Sequence, residues 1–250
     1  MSGGSTELVP LLDAEGTFAT FRQAFGLDDD APWRLPFYAF LVRAAGHTIL
    51  VDAGVGPPGE DPFLPERQGR LPAALAEAGA GPADVDLVVL THLHPDHVGW
   101  TMASGAPYFP HARYLAHRDD FDWITAAQPD RPYVRNNVVS LAATGRLELV
   151  DGPAEPLPGV RVIRIGGHTP GHCIVDLDDV TLLGDLAVSD RQLADPGLAY
   201  VAEEDRAAIA ATRQRLLQGF AENGRTVAFA HLGLGRIARA GDGFAFEPLD

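Results

Sequence analysis

Short aliphatic and β-branched runs bounded by Gly, Pro or Asp recur along the chain, the pattern of strands separated by turns. Such runs cover residues 37–43, 48–52, 85–91, 113–116, 160–165, 173–177, 180–184, 226–230 and 244–246. Helical periodicity marks residues 71–80, 118–127, 133–144 and, most clearly, 203–222. The runs at 37–43 and 48–52 are separated by only four residues and read as a hairpin. Strands and helices mix without strict alternation, and no repeat period or long linker appears, so a single domain with hairpin-rich sheets is expected over residues 1–250. Residues 1–6 read as a flexible tail. Two further segments, 54–69 with Phe63 and 121–133 with Trp123, Gln128, Pro129 and Pro132, read as loops suited to contacting a substrate.

Composition narrows the class. With 250 residues, 46% hydrophobic and 21% charged, the chain can bury a sizeable core. No apolar stretch approaches the roughly 20 residues of a membrane span, and the N-terminal residues lack the pattern of a signal peptide. The formal net charge is −15, from 34 acidic and 19 basic residues, with no Lys/Arg cluster. Nucleic acid and anionic membrane surfaces are therefore not expected partners. A single cysteine, Cys173, excludes an intramolecular disulfide and fits a cytoplasmic setting. Beginning an apolar run, it reads as a buried small hydrophobe.

The candidate chemistry lies in Thr91-His92-Leu93-His94-Pro95-Asp96-His97, directly after an apolar run. In extended chain, residues two apart point the same way, so His92 and His94 can face one metal ion. Pro95 stops strand pairing, and Asp96 suits the cap of a helix starting near His97, turning both toward a second ion. Three imidazoles and a carboxylate this close would repel one another on protonation if they merely packed a core. The spacing predicts a metal site.

The His-x-His-x-Asp-His pattern resembles the hallmark of the metallo-β-lactamase-fold hydrolase superfamily. Gly166-Gly167-His168-Thr169-Pro170-Gly171-His172, Leu183-Gly184-Asp185 and Ala230-His231-Leu232-Gly233 stand, in order, where that superfamily carries its remaining ligands. The resemblance implies an α+β fold, a four-layer αββα sandwich. It also implies two divalent metal ions, with Zn2+ best suited and iron, manganese or cobalt alternatives. His92, His94 and His168 would hold the first, Asp96, His97 and His231 the second, and Asp185 would bridge them. A metal-bridging hydroxide would then attack the substrate, with Asp96 shuttling a proton. Asp52 resembles the superfamily's aspartate that supports the metal loop. Of the other histidines, His172 reads as supporting or packing, His47 as exposed, and His111 and His117 as making local polar contacts. Trp33, Phe37, Phe63, Trp100, Phe121 and Trp123 are candidates to line an apolar pocket.

Departures within the superfamily guide the choice of reaction. β-Lactamases typically lack the bridging aspartate. Nucleases carry inserted arms and basic surfaces, and the glyoxalase II branch has a basic C-terminal helical region. The oxygen-reducing relatives lie beside a flavodoxin domain. What remains is similar to the lactonase and organophosphate-hydrolase branch, which implies hydrolysis of an ester or lactone of a small molecule. Thioester or organophosphate hydrolysis, within specialised metabolism, is the alternative, and an inactive metal-binding module is a third. The better-known lactonases carry a tyrosine three residues after the bridging aspartate, where this chain has Val188.

Overall fold

The computed structural model describes residues 6–57 and 69–249. In chain order the elements begin with β1 (Glu7–Thr20), α1 (Phe21–Phe25), β2 (Pro32–Ala44), β3 (His47–Val51), α2 (Leu71–Glu77), β4 (Leu87–Val89) and α3 (Pro95–Val98). A small hairpin, β5 (Met102–Ala103) and β6 (Ala106–Pro107), precedes β7 (Arg113–His117), α4 (Arg118–Ala127), a π-helical turn (Val134–Val139) and α5 (Ser140–Ala143). The second half runs β8 (Leu147–Val150), β9 (Ala154–Leu157), β10 (Val160–Arg164), β11 (Cys173–Asp176), β12 (Val180–Leu182) and α6 (Asp190–Ala194). It closes with α7 (Arg206–Asn223), β13 (Thr226–Phe229), β14 (Gly233–Ala240) and β15 (Gly243–Pro248).

Two sheets form, ordered β1-β2-β3-β4-β7-β8 and β15-β14-β13-β12-β11-β10-β9. Side chains alternate across a strand, so a strand buried on both faces feeds two cores. β2 to β4 do this: Leu41, Leu50 and Val88 join a cluster with Leu71, Leu75, Ile124, Val138 and Leu141 of the helical layer. Their neighbours Phe40, Val42, Ile49, Val51, Leu87 and Val89 pack between the sheets against Val160, Val162, Val175 and Leu182. On the far side, Ile209, Leu217 and Phe220 of α7 cover Val227, Phe229 and Ile237. The layers are helix, sheet, sheet, helix, the αββα sandwich that the sequence led us to expect.

The strand runs expected from sequence fall inside β2, β3, β4, β7, β10, β11, β12, β13 and β15 or overrun their ends by one to two residues. Four departures matter. β1 was not expected as a strand, because Pro10, Asp13 and Gly16 interrupt it; it pairs with β2 along its length through register shifts between Leu12 and Ala14 and between Thr17 and Ala19. Pro is tolerated there because β1 is an edge strand. Residues 121–127 belong to α4, so the loop expected at 121–133 shrinks to the turn after Ala127. The periodicity at 133–144 becomes a π-helical turn followed by α5. Asp96 does not cap α3: His94 occupies that position, Pro95 is the first helical residue, and Asp96 lies in the first turn. Pro there loses no hydrogen bond and presets the helical φ. Residues 1–5 and most of the expected loop at 54–69, with Phe63, lie outside the described residues. No described helix is long and apolar enough to cross a membrane.

The architecture brings several strand ends to one rim. β12 and β13 are parallel neighbours, so Asp185 and His231, just beyond them, emerge together. Ala230 N–H donates to Gly184 O at 3.2 Å, and Cys173 N–H to Thr91 O at 2.8 Å, tying the loops of the two sheets. Gly184 takes φ +50°, and a Cβ there would stand 2.7 Å from His172 Nε2 and 2.9 Å from Thr91 Oγ1. Only glycine lets the turn into Asp185 pass this close.

Candidate metal centre

All seven residues that the resemblance marked meet at this rim. His94 Nδ1 stands 3.0 Å from His92 Nε2 and 3.1 Å from His168 Nε2. A second group, Asp96, His97 and His231, has Asp96 Oδ2 3.6 Å from His97 Nε2 and 3.5 Å from His231 Nε2. Asp185 lies between the groups: Oδ2 is 3.3 Å from both His168 Nε2 and His231 Nε2 and 3.8 Å from His92 Nε2, while Oδ1 is 3.4 Å from His97 Nε2. In each group the donor atoms lie within 4.8 Å of one another. Ligands about 2.0–2.1 Å from a tetrahedral zinc ion stand about 3.3–3.4 Å apart, so the spacing suits a divalent cation.

The hydrogen bonds around the cluster fix which ring nitrogen faces inward. Asp52 accepts from Thr91 N–H at 2.8 Å, from the Thr91 hydroxyl at 2.8 Å and from His97 Nδ1 at 2.9 Å. With its proton given to Asp52, the Thr91 oxygen accepts from His92 Nδ1 at 3.2 Å, leaving His92 Nε2 as a free lone pair. His231 Nδ1 donates to Pro36 O at 2.9 Å, so its Nε2 is also free. His172 Nε2 accepts from the Asp185 N–H at 3.1 Å and steadies that residue's backbone. Inside the cluster, His97 Nε2 and Asp185 Oδ1 are buried without completing a hydrogen bond. Such atoms are costly unless something else binds them, and donors of this kind fit divalent metal ions.

Electrostatics point the same way. Burial holds His92 and His168 well below the ordinary imidazole range. Burial opposes the charge on His97 too, but Asp52, Asp185 and Asp96 outweigh it and hold that imidazole well above its ordinary value. Burial likewise works against a charged His231, which Asp185 and Asp96 nonetheless raise. Asp185 resists burial through His231 and His97, which keep it far below the carboxylate range. A cation entering this site competes with protons for these imidazole nitrogens, so its binding weakens as pH falls.

Asp52, read from the sequence as the support of the metal loop, makes the contacts that role requires, at φ +62°, a left-handed conformation that Asp tolerates better than most. Asp52→Ala would leave His97 Nδ1 and Thr91 N–H unpaired; metal affinity should fall about 10–100-fold with the fold retained. Competition with a chromogenic chelator measures this, and unchanged affinity would show that Asp52 does not support the metal donors. His47 and His111 are exposed. His117 is buried and its Nδ1 accepts from Asp119 N–H at the start of α4. Cys173 is buried, and burial pushes its thiol up to about 12, so it is no nucleophile.

Asp120 escaped the sequence reading. Its carboxylate, fully buried on α4, accepts from Leu93 N–H at 2.8 Å and Gly171 N–H at 2.8 Å, clamping the two loops that carry His92, His94 and His168. Nothing local in the sequence signals this, because its partners lie 27 and 51 residues away.

Over the cluster opens a cavity of about 250 Å3. His94, Asp96, His168, Asp185 and His231 line it together with Phe18, Trp33, Leu35, Phe37, Val188, Tyr200, Val201 and Ala202. Gln128, Tyr133 and Glu204 add polar edges, and no lysine or arginine lines the cavity among the described residues. Of the aromatic candidates, Trp33 and Phe37 reach it, Trp123 packs 6.0 Å from His94, and Trp100 and Phe121 belong to the core under the helices. Tyr200 was not foreseen: its ring lies parallel to His168 at 6.3 Å.

Known proteins resemble this chain in sequence and in fold. The N-acyl homoserine lactonase AiiB of Agrobacterium fabrum is 30% identical over 159 residues, 55% of this chain and 56% of its own length. An N-acyl homoserine lactonase of a Bacillus species is 28% identical over 152 residues, with the same coverage. The chain thus spans about half the length of the curated relatives it matches. Among solved structures, the hydrolase AbOPH of the beta lactamase superfamily superposes with a TM-score of 0.84 at 24% identity, covering 100% of this chain and 96% of that one. AidC, a dizinc quorum-quenching lactonase in complex with a product, gives 0.83 at 22% identity over 100% and 96%. A sequence model of the metallo-beta-lactamase superfamily matches residues 34–231, from the strand that lines the cavity to the last histidine of the cluster. On that match and the shared fold, the chain belongs to the metallo-beta-lactamase superfamily.

Proposed function

We propose that the protein is a dinuclear metal-dependent hydrolase of a small, neutral ester or lactone. The observation that carries this is the convergence of seven donor side chains about Asp185 at the floor of an apolar cavity. His92, His94 and His168 would hold one ion, Asp96, His97 and His231 the other, and Asp185 both. Nitrogen and oxygen donors without thiolate suit zinc best, with iron, manganese or cobalt as alternatives. Such ions supply Lewis acidity and lower the pKa of bound water toward about 7.

The chain's own groups do the rest. Asp52 and Thr91 hold His97 and His92 in the tautomers that turn Nε2 inward. The Asp96 side chain is 19% exposed against 4% for Asp185, so of the two carboxylates it is the one that meets substrate. Asp96 can take a proton at a carboxylate oxygen and return it to the leaving oxygen. The apolar walls hold the acyl portion and keep bulk water off the reacting face. Away from the metal donors the walls are mainly apolar and carry no lysine or arginine among the described residues, so they offer no partner to an anionic group on the substrate's acyl portion. A neutral lactone fits this chemistry, and the lactonase relatives make acyl-homoserine lactones the first compounds to test. Neutral thioesters and phosphotriesters fit the same cavity and form the second reading.

The test is ring opening by zinc-loaded protein across short- and long-chain acyl lactones, followed by proton release. Turnover abolished by chelation and restored by zinc is expected. No ring opening on any member rejects the lactone reading; free-thiol release from a thioester panel, or hydrolysis of a phosphotriester, would then favour the second.

A further inference from the structure

Tyr200 is buried at 7% exposure, lines the cavity, and stacks on His168 at an interplanar angle of 6°. Among the described residues its hydroxyl has no hydrogen-bond partner, whereas Tyr133, on the same cavity, gives its proton to Gln128 Oε1 at 3.2 Å. A phenol is an effective donor, and a cavity-lining one with no protein partner is free to serve a ligand.

The ring is rigidly held. Trp33 and Phe25 pack against it with centroids 5.6 and 5.5 Å away. Tyr200 N–H donates to Glu203 Oε2 at 3.0 Å, and Glu203 Oε1 accepts from Gln192 Nε2 at 2.9 Å and forms a fully buried ion pair with Arg213. Arg213 also donates through Nε to Leu186 O at 2.6 Å, one residue beyond Asp185, while Gln192 Oε1 accepts from Val188 N–H at 2.9 Å. Glu203, Arg213 and Gln192 therefore register Tyr200 against the segment that carries Asp185. Such support is what a donor needs to be preorganised for a reacting atom.

We propose that the Tyr200 hydroxyl donates a hydrogen bond to the carbonyl oxygen of the substrate and stabilises the negative charge that develops there. The position three residues after Asp185 is Val188, which has no donor, and Tyr200 reaches the same cavity from a different loop. This assignment rests on the ester-hydrolase reading above.

Tyr200→Phe keeps every ring contact and removes only the hydroxyl. With rates normalised to bound metal, kcat on the best lactone or ester should fall about a hundredfold, with KM changed less than about threefold and thermal stability unchanged. Equal kcat in variant and wild type overturns the role of Tyr200 while leaving the hydrolase reading standing. An inactive wild type overturns both. Should the variant lose metal or fold, the wild type decides. Its five tyrosines, labelled with 13C at Cζ, are observed as the lactam analogue of the substrate binds. A shift of the Tyr200 signal supports the contact, and an unmoved signal under saturation overturns it.

Discussion

Asp185→Ala should reduce turnover about a thousandfold or more and leave the fold in place. The carboxylate reaches both halves of the cluster, at 3.3 Å from His168 and His231 and 3.4 Å from His97. Without it, His92, His94 and His168 keep three donors, while Asp96, His97 and His231 lose the link that holds the second ion beside the first. Lewis-acid stabilisation by a cation amounts to several kcal/mol, which converts to about three powers of ten in rate. The Asp185 backbone remains anchored by His172, so circular dichroism should match the wild type. A variant that keeps two metals and more than about a tenth of wild-type activity would show that Asp185 is not the bridge.

Asp120→Asn should lower both fold stability and metal affinity, although Asp120 lies outside the ligand set. An amide can accept only one of the two N–H groups, of Leu93 and Gly171, that the carboxylate satisfies, and it presents a donor to the other. An unsatisfied buried donor costs about 1–3 kcal/mol, and support groups of this kind are worth about 10–100-fold in metal affinity. In a chain of this size the stability loss lowers Tm by about 2–12 °C. The effect depends on pH with a definite sign. Burial raises the Asp120 pKa from 3.8 to about 6, against the pull of the hydrogen bonds it accepts. Because the folded value lies above the unfolded one, the stability this proton supplies is complete below about pH 4 and lost as pH rises through about 6. In metal-free protein the gap between wild type and Asp120→Asn should therefore widen by about 2 kcal/mol from pH 7 to pH 4. A gap that narrows toward acid would contradict the assigned burial of Asp120.

What the sequence showed and what it hid follow from one distinction. Central strands such as β3 and β4 are legible because both faces are buried and the apolar run is unbroken, and the ligand loop is legible because four of its seven donors are local. The other three stand at strand ends, a position that turn chemistry marks. β1 is hidden because an edge strand pays little for Pro10, and because Asp13 at the bulge turns inward to accept from Val55 N–H and Leu71 N–H, both at 2.6 Å. That carboxylate is an asset only once residues 42 and 58 positions away have arrived. Asp120 and Tyr200 are hidden for the same reason: each acts through groups distant in sequence, and neither carries a local pattern. The cap of α3 went to His94 rather than Asp96 because Pro95 already fixes the first helical φ, which frees the Asp96 carboxylate to face His97 and His231.

If seven side chains hold two metal ions around one carboxylate, the chain binds a defined number of ions. Metal analysis of protein stripped with chelator, reconstituted with zinc and desalted tests it most directly. About two equivalents per chain are expected in the wild type and one or fewer in Asp185→Ala. Well under one equivalent in the wild type, with no gain on reconstitution, would contradict it.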